Sequence, residues 1–495
     1  MTSRISLVIT ALLFVASAAR AADPPRPKES DFYKLVSYKI PDNITLECGA
    51  MEFLPDGRLA VATRFGDIYF VSNLDSKFNT PQFTRWAGGL HEVLGLAYNK
   101  KDGCLYAVQR GEVTRIKDSD NDGTADVFET YCDDWGISGD YHEYAMGSKF
   151  DKDGNLYVVL CLTGSFTSEA RFRGWCLKIT PDGKAHTFAA GIRSPGGIGF
   201  DANGELFYTD NQGPWNGTSS LKHLTQGSWQ GHHNGNKWYD DPLAKAEMGP
   251  RPIEPNNPSR LLIEAGRIPQ YVLPPVLLPH EKVGQSASGI QCDFSGGKFG
   301  PYSGHLFIGD QHHSNLTRCV LEKVNGKLQG VAIPFASGFG SGVVPVIQSP
   351  ADGSLFVGGT NRGWGSIGPR PFSLDHLTWT GKTPFELLDM KAAPDGFTLN
   401  FTEPVDPKTA GDVASYKMET YTYIFQSEYG SPRVDGTVPT IKSATVSPDG
   451  KSVKLVVDGL KVGSVHELHL DGVTSPAGMG LLHPVAYYTL WGIPK

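Results

Sequence analysis

The sequence predicts an all-β chain: a six-bladed β-propeller over residues 32–382, followed by an Ig-like β-sandwich domain over 384–495. Three observations predict this. A strand–turn–strand pattern recurs six times, the mark of a repeat architecture. Glycine (58) and proline (34) are abundant, and no long run carries the apolar period of a helix. From about Pro384 the repeat stops and strands of different spacing begin.

The first element is a targeting segment. In MTSRISLVITALLFVASAARAADPP, Arg4 supplies positive charge, Ile5 to Ala19 an apolar run, and Ala19-Arg20-Ala21 a small-residue cleavage site. That order predicts a secretory signal over residues 1–21. The run is shorter than the roughly 18–20 residues a membrane span needs, and no second one follows. The expectation is a secreted or periplasmic protein with no membrane span. A net charge of −7 without a block of like charges argues against nucleic acid and acidic membrane surfaces as partners. Seven cysteines suit an oxidising compartment, and Cys161 and Cys176, on strands the repeat makes neighbours, are the pair the pattern suggests for a bridge.

The six copies are AMEFLPDGRLAVAT, LGLAYNKKDGCLYAVQ, GSKFDKDGNLYVVL, GGIGFDANGELFYTD, SGIQCDFSGGKFGPYSGHLFIGD and PVIQSPADGSLFVGG. Asp, Asn and Gly in the turns tolerate positive φ, and the strand after each turn alternates as a half-buried strand does. Third strands follow (GDIYFV, GEVTRIKD, GWCLKIT), so each copy opens a four-stranded blade. If inner strands run from top to bottom, the D-x-x-G turns lie at the bottom. Segments just before an inner strand, and just after a second strand, then share the top. These include His142, Arg193, Arg64, Arg110, Arg362 and the run Asp210 to Pro214. A polar ligand pocket is expected there. His312 and His313 beside Asp310, like His232 and His233, read as exposed loop histidines, because adjacent residues on a strand face opposite ways.

In the second copy DSDNDGTADVFE places Asp118, Asp120, Asp122, Thr124, Asp126 and Glu129 at the spacing of an EF-hand loop. Alternate hard oxygens, a glycine turn and a closing glutamate enclose calcium. The flanks read as strands, and the loop joins the third and fourth strands of blade two. That puts a structural calcium at the bottom, away from His142 and Arg193.

The stretches HEYAMGSKFDKDGNLY, GIRSPGGIGF…YTDNQGPWN and SASGIQCDFSGGKFGPYSGHLFIGD carry a resemblance to the soluble quinoprotein glucose/sorbosone (aldose sugar) dehydrogenases, across about residues 47–365. The chain is similar above all to uncharacterised secreted propellers of planctomycete-type bacteria. The resemblance implies pyrroloquinoline quinone and calcium as cofactors and a carbohydrate substrate. It also implies His142 as base toward the sugar's hydroxyl and Arg193 as the charge stabiliser that also touches the cofactor. Lys298 would be a second cofactor contact, and the carbonyls of Gly213 and Pro214 would hold a cofactor calcium. Two positions depart from the family: Ser194 replaces an asparagine, and the last blade, GSGVVPVIQSPADGS, has no arginine before its inner strand. Two functions follow as expectations. One is an exported oxidoreductase passing hydride from a sugar or sugar-derived alcohol to the quinone, then electrons to a partner. The other is a non-catalytic, calcium-stabilised propeller binding a glycan or a protein.

Overall fold

A computed structural model describes residues 24–74, 80–361 and 365–495. The predicted signal segment and Arg362 lie outside the described residues. After β1 (Tyr33–Ser37), blade one comprises β2 (Cys48–Phe53), β3 (Leu59–Thr63), β4 (Ile68–Ser72) and β5 (Gln82–Ala87). Blade two comprises β6 (Gly95–Asn99), β7 (Cys104–Val108), β8 (Val113–Lys117) and β9 (Val127–Cys132). Blade three is β10 (Ala145–Gly147), β11 (Leu156–Leu160), β12 (Trp175–Ile179) and β13 (Ala185–Ala190). Blade four is β14 (Pro195–Phe200), β15 (Leu206–Asp210) and β16 (Ser219–Leu224); a short β17 (Ser228–Trp229) extends blade three before β18 (Val276–Leu278) completes blade four. Blade five is β19 (Ala287–Cys292), β20 (Leu306–Asp310), β21 (Asn315–Val324) and β22 (Lys327–Ala336). Blade six has β23 (Val343–Gln348), β24 (Leu355–Thr360) and β25 (Phe372–Trp379), and takes β1 as its outer strand.

The inner strands β2, β6, β10, β14, β19 and β23 each touch the next, and β23 returns to β2. Six blades therefore surround one axis. Close approach of the inner strands depends on glycine: a Cβ on Gly95 would lie 2.5 Å from the Gly147 Cα. The D-x-x-G turns form as their residues dictate. Asp151 Oδ1 accepts from the backbone N–H groups of Asp153 and Asn155, and Gly154 takes φ +85°.

The C-terminal segment forms two facing sheets. One is β26 (Leu387–Ala393), β27 (Gly396–Phe401), β30 (Thr440–Val446) and β31 (Ser452–Asp458). The other is β28 (Lys417–Tyr423), β29 (Arg433–Thr437), β32 (Ser464–His469) and β33 (Val485–Leu490). Phe397, Leu399, Leu455, Leu468 and Tyr488 fill the core between them. The second sheet is continuous with blade five, because β33 pairs with β22 through Val331↔Tyr488 and its neighbours. Val331 and Ile333 accordingly belong to the sandwich core.

The expected Cys161–Cys176 bridge is corrected here: all seven cysteines are unbridged and buried. Cys176 pairs across the sheet with Val159, while Cys161 lies beyond the end of β11 with its Sγ 3.4 Å from the Arg193 carbonyl oxygen.

Candidate functional site

A cavity of about 170 Å³ opens on the axis and takes wall from every blade: Arg64, Leu94, His142, Arg193, Gln285 and Val344. The polar ones precede an inner strand or follow a second strand, so propeller connectivity delivers them to one face. Leu94, Met146 and Val344 also border a wider channel of about 840 Å³ along the axis toward the D-x-x-G turns. That channel's walls come largely from inner-strand glycines and apolar side chains, and the convergent polar groups lie in the smaller cavity.

His142 is half-buried, three residues before β10. Asp140 Oδ1 accepts from its backbone N–H at 2.8 Å and also from Gly164 N–H, which fixes the turn. Burial pushes the imidazole pKa below its usual value; Asp140 opposes this, and Arg193, Arg110 and Arg64 add to it. The ring is therefore neutral at pH 7, the form that can accept a proton.

Arg193 is buried, and its Nη1 donates to the carbonyls of Asn211 (3.2 Å) and Gln212 (2.7 Å). Its Nε is buried with no hydrogen-bond partner among the described residues. Gly213 makes room for it, since a Cβ there would lie 2.0 Å from the guanidinium carbon. Asp210, fully buried at the end of β15, holds the segment from below. It accepts from Ser194 N–H (2.8 Å), Arg193 N–H (3.4 Å) and the Tyr208 hydroxyl (3.1 Å), and pairs with Lys222 Nζ at 2.9 Å. Asp310 repeats the device one blade on, accepting from Gln285, Ser286 and His313 N–H.

Two further arginines face the axis already engaged. Arg64 and Arg110 both pair with buried Glu92 and both lie over the Tyr144 ring. Arg110 also donates to the carbonyls of Asp140 and Tyr141. Behind them Arg173, fully buried, donates to the carbonyls of Gly136, Glu143, Tyr144 and Arg110. Burial lowers its pKa to about 10, which leaves it charged at neutral pH. Neither Glu92 as a bridge nor Arg173 as an anchor carries any sequence signal.

The implied quinone and its calcium can be tested against these residues. The quinone's three carboxylates need cationic partners. Among the described residues Arg64 and Arg110 are committed to Glu92, and Lys298 is displaced. It stands in the turn between β19 and β20, its Cβ against Gly353 of the β23–β24 turn, on the face opposite His142 and Arg193. This corrects its expected cofactor contact; an inner-to-second-strand turn cannot reach the top. The Gly213 carbonyl accepts from Asn216 N–H at 3.0 Å, and the Arg193 guanidinium fills the neighbouring carbonyl cradle. A dication at Gly213 and Pro214 would face that guanidinium, and among the described residues no carboxylate lines the cavity. These residues do not fit a calcium-bridged quinone.

In the second-blade loop, carboxylate oxygens of Asp118, Asp120 and Asp122 lie within 4.8 Å of one another. Asp118 Oδ2 accepts from Gly123 N–H, and Asp122 Oδ1 from Thr124 N–H. The loop lies between β8 and β9 and leans on blade one through Ala125 N–H to the Trp86 carbonyl. Two of its expected ligands point elsewhere. Glu129 pairs with Arg115 at 3.0 Å, and Asp126 accepts from Ser119. An EF-hand leaves its twelfth position on a helix, whereas here β9 begins at Val127 and the pleat aims Glu129 at its cross-strand neighbour. Neither histidine pair joins a metal group: among the described residues, the acidic trio is the only such cluster. His312 Nδ1 contacts the Gly365 carbonyl and the His233 ring packs on Trp215, but His232, expected as an exposed loop histidine, is buried.

Residues 65–258 match a family model described as a domain of unknown function, DUF7133. No curated protein matches the sequence. Among solved structures, the chain is similar to the PQQ-bound aldose sugar dehydrogenase of Streptomyces coelicolor, at 18% identity and TM-score 0.49, covering 72% of this chain and 99% of that one. It is also similar to a calcium structure of a family AA12 carbohydrate-active enzyme from Trichoderma reesei, at 13% identity and TM-score 0.48, covering 74% and 100%. A third is the PQQ domain of Coprinopsis cinerea pyranose dehydrogenase, at 11% identity and TM-score 0.45, covering 72% and 98%.

Proposed function

We propose that the axial cavity takes a sugar or sugar-derived alcohol and that the protein is a sugar oxidoreductase with His142 as its general base. One observation carries this reading: a half-buried imidazole faces the same cavity as a fixed guanidinium. His142 takes the proton of the reacting hydroxyl, and Arg193 holds an oxygen that gains negative charge. The hydride passes to an external acceptor of the quinone class, served by an electron-transfer partner. The signal-like residues 1–21 support export, and the C-terminal sandwich is read as an Ig-like support. A second reading, a glycan-binding propeller without redox chemistry, is favoured by Arg193 standing in the carbonyl cradle where a cofactor calcium would sit.

The test is dye-linked oxidation of a panel of aldoses, with and without added pyrroloquinoline quinone and calcium. His142→Gln should lower turnover about 10²–10⁴-fold. Because burial lowers the His142 pKa, wild-type kcat/KM should hold through neutral pH and fall only as pH drops below the ordinary histidine value of 6.5. Sugar binding by calorimetry without turnover under any condition would select the second reading.

A structural calcium at Asp118, Asp120 and Asp122 is part of the proposal. Saturating calcium should add about 2–3 kcal/mol of stability, as a ligand present at about 100 times its Kd does. Asp118→Ala should abolish that calcium-dependent gain in thermal denaturation, and Glu129→Gln should keep it. Loss of the gain in Glu129→Gln would restore the EF-hand assignment.

A further inference from the structure

The outer wall of the axial cavity does not belong to the propeller. Tyr429 lies at the tip of the connection between β28 and β29, and the Arg193 guanidinium carbon lies over the inner face of its ring, 5.2 Å from the centroid. Phe166 of blade three is 5.8 Å from the same atom, and the two rings are 6.4 Å apart at 43°. Both are exposed, Phe166 at 48% and Tyr429 at 63%.

The hairpin that carries Tyr429 is fastened at three places. Trp215 N–H donates to the Gln426 carbonyl at 2.7 Å, and Ser431 N–H to the Gly217 carbonyl at 3.0 Å. Phe425 exchanges both backbone hydrogen bonds with Ser259, and its ring packs on Trp215 and Tyr271. Gly217 and Gly430 allow the contact: a Cβ on either would meet atoms of the other element at 2.8 Å. The ring is thus held in place while its outer face stays in solvent. Exposed aromatics fixed at a cavity mouth, beside a buried cation, are the arrangement that binds a ligand with one apolar face and a polar edge.

We propose that Tyr429 is a specificity-determining residue of this site: with Phe166 it forms an aromatic wall at the cavity mouth on which the C–H face of a pyranose ring stacks, its polar rim turned to the axial cavity. The inference rests on the sugar reading above and narrows it. A pyranose with equatorial hydroxyls offers an unbroken C–H face and a polar rim; an open-chain polyol has no such face, and an axial hydroxyl interrupts it. Because the hairpin is already ordered, little conformational entropy is lost when the ligand docks. It also assigns the C-terminal sandwich a part of the binding site, although the sandwich supplies none of the proton chemistry.

The test is calorimetric titration of the full mature chain with D-glucose and with D-talose, whose C2 and C4 hydroxyls are axial. Wild type should bind D-glucose more tightly. Tyr429→Ala should weaken D-glucose binding about tenfold and erase the preference, without change in melting temperature, since the ring is mostly in solvent. Tyr429→Phe should keep both affinity and preference. If wild type binds D-glucose and Tyr429→Ala binds it equally well, Tyr429 only covers Arg193; the inference falls and the sugar reading stands. If wild type binds neither sugar, the sugar reading itself falls, and the inference with it.

Discussion

Asp210→Ala should destabilise the protein by about 3–5 kcal/mol and abolish sugar binding. Asp210 and Lys222 form an ion pair with side-chain exposures of 0% and 3%. Removing the carboxylate leaves an ammonium in the interior whose only remaining hydrogen bond among the described residues is to the Gln230 carbonyl. Breaking a buried pair from one side costs far more than the pair itself is worth, because the surviving charge has lost its solvation. The same substitution strips acceptors from the N–H groups of Arg193 and Ser194, so the segment entering β14 loses its fixed geometry. The two effects separate in a double mutant. Adding Lys222→Met should recover much of the stability in chemical denaturation, since no charge is then stranded. Binding should stay lost, because the N–H groups remain unpaired. Independent, additive losses in the double mutant would show that the ion pair does not couple the two positions.

Arg173→Met should be comparably severe, at about 4 kcal/mol or more, for a different reason. Among the described residues no carboxylate hydrogen-bonds to the guanidinium, although Glu143 favours its charge; its donors end on four carbonyls from three segments of the upper face. Methionine fills much of the volume but leaves the Gly136 and Glu143 carbonyls without a donor, at roughly 1–3 kcal/mol each before relaxation, while those of Tyr144 and Arg110 keep the Cys161 N–H and the Trp135 indole N–H. Two of those carbonyls, Glu143 and Tyr144, directly follow His142, and a third is that of Arg110. The loop over 136–144 should therefore become protease-sensitive in the variant while the blades stay folded. Arg173→Lys should rescue little, because one ammonium cannot span the planar fork of contacts. Full rescue by lysine would mean that charge alone, and not the fork, orders the loop.

The parts of this architecture that sequence shows are those written in local spacing. The D-x-x-G turns mark where each inner strand ends, so the residues just before the inner strands had to share a face. His142 and Arg193 meet in one cavity for that reason. The acidic loop between β8 and β9 was equally legible, down to its strand flanks. Its last ligand was not, because a spacing rule taken from helix-flanked loops fails once the exit is pleated and Arg115 stands opposite Glu129. Lys298 failed as a cofactor contact by the same geometry that placed the turns: it stands in one of them. Contacts between distant segments leave no trace in spacing. Nothing near Tyr429 marks it as a neighbour of Phe166, and nothing in Glu92 foretells that two arginines will share it.

The pairing of β33 with β22 has a consequence for how the chain folds. The propeller ring is closed by the first strand, β1, which must wait for β25, more than three hundred residues later. Blade five is then extended by the last strand, β33, which pairs with a segment made some hundred and fifty residues earlier. Until β33 arrives, Gly330 to Ala332 of β22 stand as an open sheet edge, and Val331 and Ile333 lack the Tyr488 and Leu490 part of their core. Such an edge is a template for pairing with any other strand, including the β22 of a second nascent chain. β1 and β33 are thus both long-range clasps, and loop closure of that length makes assembly slow. The late steps of folding, rather than the blades themselves, are where this molecule is exposed to misassembly.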